Sequence, residues 1–310
     1  TSSPTTFSYE LFGESTSANT TGQQQNFWAD DGPYSVTNPL VGSTATERWY
    51  ARAGNGSVLA PGLINITYSH QFILAVTGGN IQSQWYDSGS TATLSSQTVF
   101  GRASGTGFRI TSYSIDGGPA TSVNPSHGTV SIQLTMDVPH TLTFSSVMQY
   151  EVTLDSEGRS SLNFITPPSI SGDDYWYDGG ATVKVVLNGT WGRASGTGTR
   201  LSSYAINGGP QNAVASGGVV TVLSLDSIAG PQSITTVVAT QFQLNTPQGS
   251  VSSVTPPPIP VEAGSYDEGT QVRVVYEYAW SIEGGQSRLN SVGYDVDGGA
   301  IVTLPRSGDG

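Results

Sequence analysis

The sequence predicts an all-β protein built as a row of β-sandwich domains. Three observations carry that prediction: a long internal repeat, period-2 alternation along the candidate strands, and a turn-rich composition poor in charge. Trp85-Tyr86-Asp87-Ser88-Gly89, Trp176-Tyr177-Asp178-Gly179-Gly180 and Ser265-Tyr266-Asp267-Glu268-Gly269 begin three blocks. Each block closes on Tyr-x-(Ile/Val)-(Asp/Asn)-Gly-Gly, at Tyr113 to Gly118, Tyr204 to Gly209 and Tyr294 to Gly299. From Asp87 to Asp178 is 91 positions and from Asp178 to Asp267 is 89. That period suits one small sandwich and exceeds the roughly 20 to 50 residues of a solenoid or propeller unit. Alternation is plain in Thr129 to Met136 and Thr182 to Leu187, and no window keeps a helical spacing of apolar residues. Gly 39, Pro 17 and only 11% charged residues complete the picture of a turn-rich extracellular chain.

Taken in order, the copies align well beyond their signatures. Each opens on Gln-aromatic, at Gln71-Phe72, Gln149-Tyr150 and Gln241-Phe242, which gives repeats 71–148, 149–240 and 241–310. Phe100-Gly101-Arg102-Ala103-Ser104-Gly105-Thr106-Gly107 recurs as Trp191 through Gly198 and more loosely from Trp280, followed by Arg109-Ile110, Arg200-Leu201 and Arg288-Leu289. Residues 1–70 read as a diverged fourth sandwich, with Trp28-Ala29-Asp30-Asp31-Gly32, Arg48-Trp49-Tyr50 and Ile64 to Tyr68 in the expected order. Trp85, Trp176 and Tyr266 are expected at equivalent places near the starts of equivalent strands, with short linkers between consecutive domains. Asp87, Asp178 and Asp267 read as heads of tight turns that hydrogen-bond their own backbone, with a following Gly at φ > 0. Gly117, Gly208 and Gly298 read as members of type I′ hairpin turns, which need two residues at φ > 0.

Repeat 241–310 stops where its two last strands should begin. A sandwich short of two strands leaves apolar faces and unpaired edges. Either the chain continues past Gly310 or a neighbour inserts a strand by β-augmentation, and the alternating N-terminal run with Thr5, Phe7, Tyr9 and Leu11 is the best donor.

One lysine, Lys184, accompanies ten arginines and 23 acidic residues, for a net charge of -12. That balance argues against nucleic acid and anionic membranes, which require clustered cations. No apolar stretch is long enough to span a membrane. Cysteine is absent and methionine numbers 2, which, with the sparse charge, fits an acidic, hot exterior. Thr1 in place of Met suggests a mature, processed N-terminus. Asn19, Asn55, Asn65 and Asn188 lie in Asn-x-Ser/Thr sequons and are the glycosylation candidates, Asn124 being ruled out by Pro125.

Chemistry finds little purchase. Asp87-Ser88-Gly89 echoes the aspartic-protease motif, but the copies Asp178-Gly179-Gly180 and Asp267-Glu268-Gly269 lose the hydroxyl. An Asp-box propeller turn fails on spacing. No Gly-x-Ser-x-Gly elbow or phosphate loop is present, so no catalytic residue is named and the chain reads as a non-enzyme. His70, His127 and His140 do not share metal-ligand spacing. Calcium is the cofactor left open, on Asp30-Asp31, Asp173-Asp174 and the Asp116/Asn207/Asp297 series, none with an EF-hand pattern; otherwise no cofactor is expected. The aligned Phe100, Trp191 and Trp280 read as core or domain-contact rings, and would be a sugar platform only if exposed.

The repeated (Trp/Ser)-Tyr-Asp-x-Gly-x-(Thr/Gln)-x-(Val/Leu) and Tyr-x-(Ile/Val)-(Asp/Asn)-Gly-Gly signatures resemble the tandem Ig-like domains of archaeal surface proteins. The chain is similar to the small, membrane-anchoring S-layer subunit of the Sulfolobales, and next to Ig-like archaeal filament subunits. That family continues into a coiled coil and membrane anchor that do not occur here. The resemblance implies tandem Ig-like β-sandwich domains arranged as a rod, in a structural protein at the cell surface. Its partners would be copies of itself or another surface-layer protein. A carbohydrate-binding adhesin, with surface glycans as partners, is the alternative.

Overall fold

The computed structural model describes residues 5–20, 23–246, 251–260, 264–276, 279–283, 287–290, 293–297 and 299–303. Nearly all of its regular structure is strand, as the alternation predicts. Two compact units are present: Thr1–Gln149 with Ser169–Gly179, and Tyr150–Pro168 with Gly180–Gly310.

The first unit begins with β1 (Thr5–Leu11), β2 (Glu14–Thr20), β3 (Gly32–Val36), β4 (Glu47–Ala51) and β5 (Asn55–Val58). Four of these form a sheet of order β2-β1-β3-β5. Phe7 and Tyr9, two apart on β1, share one face with Tyr34 and Phe27, whose rings lie 5.5 and 5.7 Å from Phe7. The candidate donor run Thr5 to Leu11 is therefore not free: β1 bonds β2 along its whole length and β3 on its other edge.

The same unit continues with β6 (Tyr68–Thr77), β7 (Gln84–Asp87), β8 (Thr91–Gln97), β9 (Val99–Ala103), β10 (Thr106–Ile115), β11 (Thr121–Ser122), β12 (Thr129–Thr135) and, as far as Gln149, β13 (His140–Leu154). Here the sandwich is explicit. β8 and β12 pair antiparallel with Leu94 opposite Ile132, and strict alternation on β8 turns Ala92, Leu94 and Ser96 inward. Their core partners are Leu74 on β6, Ile110 on β10, and Leu142 and Phe144 on β13. Leu74, Ile110 and Leu142 have no exposed surface, and burying each such side chain contributes about 1.5–3 kcal/mol.

The second unit holds α1 (Ser156–Ser161), β14 (Leu162–Ile165), β16 (Val183–Asn188), β17 (Thr190–Ala194), β18 (Thr197–Ile206), β19 (Asn212–Ala213), β20 (Val220–Leu225) and β21 (Gln232–Gln243); β15 (Trp176–Asp178) belongs with the first. β16 is the middle strand of β14-β16-β20 and buries Val183, Val185 and Leu187, the first two opposite Leu225 and Leu223. Leu201 and Ala205 on β18 and Ile234 on β21 are buried in the other sheet. The helix was not expected: six residues are too few for a readable period. Its N-cap is Asp155, which accepts from Gly158 N at 2.7 Å and from Thr236 N at 2.6 Å.

The last segment contains β22 (Val251–Thr255), β23 (Ser265–Asp267), β24 (Arg273–Tyr276), β25 (Ala279–Glu283), β26 (Ser287–Asn290), β27 (Gly293–Tyr294) and β28 (Val302–Thr303). β22 pairs β24 as β14 pairs β16. Tyr294 lies opposite Val302, as Tyr204 lies opposite Asn212 and Tyr113 opposite Thr121. The described residues end at Thr303, at the counterpart of β19, and the chain written after it lies outside them.

Two expectations about junctions change. In place of short linkers, single strands serve two repeats: the boundary 70/71 falls inside β6 and 240/241 inside β21. β6 pairs β4 of the preceding segment through Tyr68 to Phe72, then β7 through Gln71 to Leu74 and β13 through Leu74 to Thr77. β21 does the same with β18 through Ile234 to Phe242 and with β23 through Gln241 to Gln243. Second, Ser265 and not Tyr266 holds the place of Trp85. Ile73 opposes Trp85 and Gln243 opposes Ser265, each two positions after the repeat-opening glutamine, so Tyr266 matches Tyr86.

The Asp/Asn-Gly-Gly turns take the expected positive φ where they are described. Asp116 and Gly117 have φ of 52° and 69°, Asn207 and Gly208 have 54° and 67°, and Asp297 has 53°; Gly298 lies outside the described residues. Closing bonds run from Gly118 N to Ile115 O and from Gly209 N to Ile206 O at 2.8 and 2.9 Å, so both are type I′ turns. Gly89, Gly180 and Gly269 also have positive φ.

Candidate functional site: a repeated arginine, glutamine and aspartate clasp

The repeat-opening glutamines are buried: Gln71, Gln149 and Gln241 are 6%, 0% and 2% exposed. A buried amide needs partners for both ends, and each glutamine finds the same two. Its Nε2 donates to the aspartate that heads the next turn: Gln71 to Asp87 Oδ1 at 2.8 Å, Gln149 to Asp178 Oδ1 at 3.1 Å, Gln241 to Asp267 Oδ1 at 3.5 Å. Its Oε1 accepts from an arginine earlier in the chain: Arg48 Nε at 2.9 Å, Arg102 Nη2 at 3.0 Å, Arg193 Nη2 at 3.4 Å. A second arginine grips the aspartate. Arg109 reaches Asp178 through Nε, at 3.2 Å, and Nη2; Arg200 reaches Asp267 through Nε at 2.9 Å and Nη2 at 2.5 Å. In the first copy Arg52 meets Asp87 with one nitrogen.

The shared strands explain why these residues meet. On β21, Gln241 faces Gly198 of β18 across one edge and Asp267 of β23 across the other, so arginines of one repeat and the aspartate of the next converge on it. Bidentate guanidinium–carboxylate pairs are the strongest of the charged hydrogen bonds. Asp267 is held below the usual carboxylate range by its hydrogen bonds with Arg200 first, the nearby guanidinium charge and the Gln241 amide adding to it against the opposing effect of burial. The aspartates that the sequence suggested would bond their own backbone instead bind side chains from elsewhere. Their turns are closed by main chain, with Ser90 N and Thr270 N donating to Asp87 O and Asp267 O.

In the first two copies an aromatic ring lies against the arginine that bonds the glutamine. The Arg102 guanidinium lies 4.1 Å over the Trp176 ring and that of Arg48 lies 4.3 Å over Trp85. Arg102 also binds Asp173 through Nη1, at 2.7 Å, and Nη2. His127 Nε2 lies 3.2 Å from the same carboxylate. Burial raises the Asp173 pKa, but Arg102 and His127 outweigh it and hold the carboxyl below its ordinary value.

The other candidates are dispersed. Asp116 accepts from Thr141 N and pairs with His140 Nδ1, each at 2.7 Å, while Asn207 Oδ1 accepts from Ser233 N. His70 bonds Glu47 and stacks on Trp49. Among the described residues no group of three or more acids and histidines could hold a metal ion. Phe100 packs against the core and stacks on Phe108, and Trp191 is half-buried; the Trp280 side chain lies outside what is described. Asn19, Asn55 and Asn65 are exposed and Asn188 half-buried. Among the described residues no helix is long and apolar enough to cross a membrane.

Comparison with known proteins adds no assignment: no family model, curated protein or solved structure matches this chain.

Proposed function

We propose that the chain is a structural protein of the cell surface, a non-enzyme whose work is to assemble with copies of itself or with another surface-layer protein into an S-layer or an extracellular filament. The observation that carries this reading is the clasp. Arg48, Arg52, Arg102, Arg109, Arg193 and Arg200 are six of the ten arginines, and all of them join one repeat to the next, each with a partner on the following Gln or Asp. A sequence that gives most of its cations to such joints is organised for mechanical continuity. Export, glycosylation at the exposed sequons and an acidic, hot setting belong to the same reading, as does the resemblance to S-layer subunits.

Electron microscopy of the purified protein over a series of pH and calcium concentrations tests the proposal. Ordered sheets or filaments are expected; separate particles under every condition would overturn it. The adhesin alternative predicts instead saturable binding to surface glycans by the separate particle.

A further inference from the structure

We infer that Trp28 and Asp30 form the open half of a further clasp, a receptor for a guanidinium, and that the arginine it receives is Arg288 of a second copy of the chain; this rests on the assembly reading above and names the contact through which assembly proceeds. The chain itself shows what such a half-clasp takes. Trp85 and Trp176 each lie against a guanidinium of the preceding segment, Arg48 or Arg102. The aspartates two positions on, Asp87 and Asp178, each bind an arginine, and so does Asp267. One guanidinium can do both: that of Arg102 lies 4.1 Å over an indole and binds the Asp173 carboxylate at the same time.

Trp28 and Asp30 hold the same place in the first segment. Trp28-Ala29-Asp30 keeps the spacing of Trp85-Tyr86-Asp87 and Trp176-Tyr177-Asp178. β3 follows it as β16 follows Asp178, and pairs β1 and β5 as β16 pairs β14 and β20. The difference is that this receptor is open. Trp28 is 89% exposed. Asp30 Oδ2 accepts from Gly13 N at 2.7 Å, and among the described residues no arginine reaches the carboxylate. Residues 24–30 form no strand, whereas their counterparts β7, β15 and β23 each bond the strand that carries the repeat-opening glutamine.

The receptor is held in form, and its charge selects a cation. The bond from Gly13 N fixes the β1–β2 turn against Asp30, and Phe12 in that turn is also 89% exposed, at φ of 53°. A bulky side chain at positive φ costs stability, and such residues gather at functional sites. Glu10 and Glu14 flank the turn, Asp31 follows Asp30, and no lysine or arginine precedes Arg48. An exposed indole beside a carboxylate suits the flat, weakly hydrated guanidinium better than an ammonium. The last repeat carries the matching cation. Arg288-Leu289 holds the register of Arg109-Ile110 and Arg200-Leu201, whose arginines grip Asp178 and Asp267, and β26 pairs β25 as β18 pairs β17. Because the two surfaces differ, the contact is heterologous and adds copies in an open series unless the rotation closes a ring.

Sedimentation velocity over a concentration series, on the full chain and on Trp28→Ala and Arg288→Ala, tests this. The wild type should associate with rising concentration, and each variant should need roughly tenfold higher concentration or more to do so. Mixed in equal amounts, the variants should give a discrete 1:1 dimer, because Arg288 of the first meets the intact Trp28 and Asp30 of the second and nothing extends further. Trp28→Ala changes an exposed residue and decides the matter even if Arg288→Ala does not fold. Association of Trp28→Ala equal to wild type overturns the half-clasp and leaves the assembly reading standing. So does a mixture that fails to dimerise although both variants melt as the wild type does. A wild type that stays monomeric at every concentration overturns both.

Discussion

Removing the Asp178 carboxylate should cost far more than its exposure suggests. Asp178→Ala deletes the acceptor for Arg109 Nε and Nη2 and for Gln149 Nε2. The Asp178 and Arg109 side chains are 24% and 11% exposed, and Gln149 is fully buried. Breaking a wholly buried pair costs about 3–5 kcal/mol, and an exposed pair is worth roughly 0–1 kcal/mol. This clasp lies between, so a loss of about 2–3 kcal/mol is expected, with a buried amide hydrogen left unpaired. For a unit of this size that lowers the melting temperature by about 5–10 °C. Arg52→Ala is the control: its side chain is 72% exposed and makes one contact with Asp87, so the change should stay within about 0.5 kcal/mol. Guanidinium denaturation of both variants and of Arg109→Ala with and without Asp178→Ala supplies a coupling energy, expected to be at least about 1 kcal/mol. Equal effects from Asp178→Ala and Arg52→Ala, or additive losses in the cycle, would refute the reasoning.

Stability should depend on pH at both ends. Asp116, Asp173 and Asp267 have lowered pKa values, so their contribution is complete above the ordinary value of 3.8 and is lost as pH falls through the lower folded values. His140 is raised from 6.5, chiefly by its hydrogen bond with Asp116, so its contribution is complete below 6.5 and is lost as pH rises through the folded value. Denaturation at three pH values should find the optimum between about 4 and 6.5, and His140→Gln should flatten the alkaline side; an unchanged alkaline slope would contradict the assignment. Gly117→Ala, at φ of 69°, should cost about 1 kcal/mol in the same assay, whereas no loss would mean that the turn relaxes. In protein from its native source, glycopeptide mass spectrometry should find sugar on Asn19, Asn55 and Asn65 before Asn188, whose Oδ1 accepts from Asn163 at 3.0 Å; the reverse order would count against the exposures given above.

The repeat, the sandwich and the turns were legible because they are local: alternation, Asp/Asn-Gly-Gly and the Gln-aromatic openings each act within a few residues. The clasp was not, although all its members stood in aligned positions. Arg109 and Asp178 are 69 residues apart and Arg200 and Asp267 are 67, and alignment shows equivalence between copies, not adjacency within a joint. The missing fact was strand sharing, which brings Gln241 between Gly198 and Asp267. A usable signal existed in the recurrence of Arg, Gln and Asp at fixed places in a chain with only ten arginines. The first copy hid it further, since Arg48 comes from β4 opposite Gln71 where the third copy has Gly198 opposite Gln241.

Hydrogen exchange across β21 tests the shared strand most directly. A strand that closes one repeat and opens the next keeps its amides bonded through Gln241, to β18 on one side and β23 on the other. Mass spectrometry should therefore find peptides spanning Val237 to Gln243 as slow to exchange as those from the core strand β16, with Asp267→Ala accelerating the Gln241 end. Exchange of Val237 to Gln243 at the rate of a loop would mean that a hinge, not a continuous strand, joins the repeats.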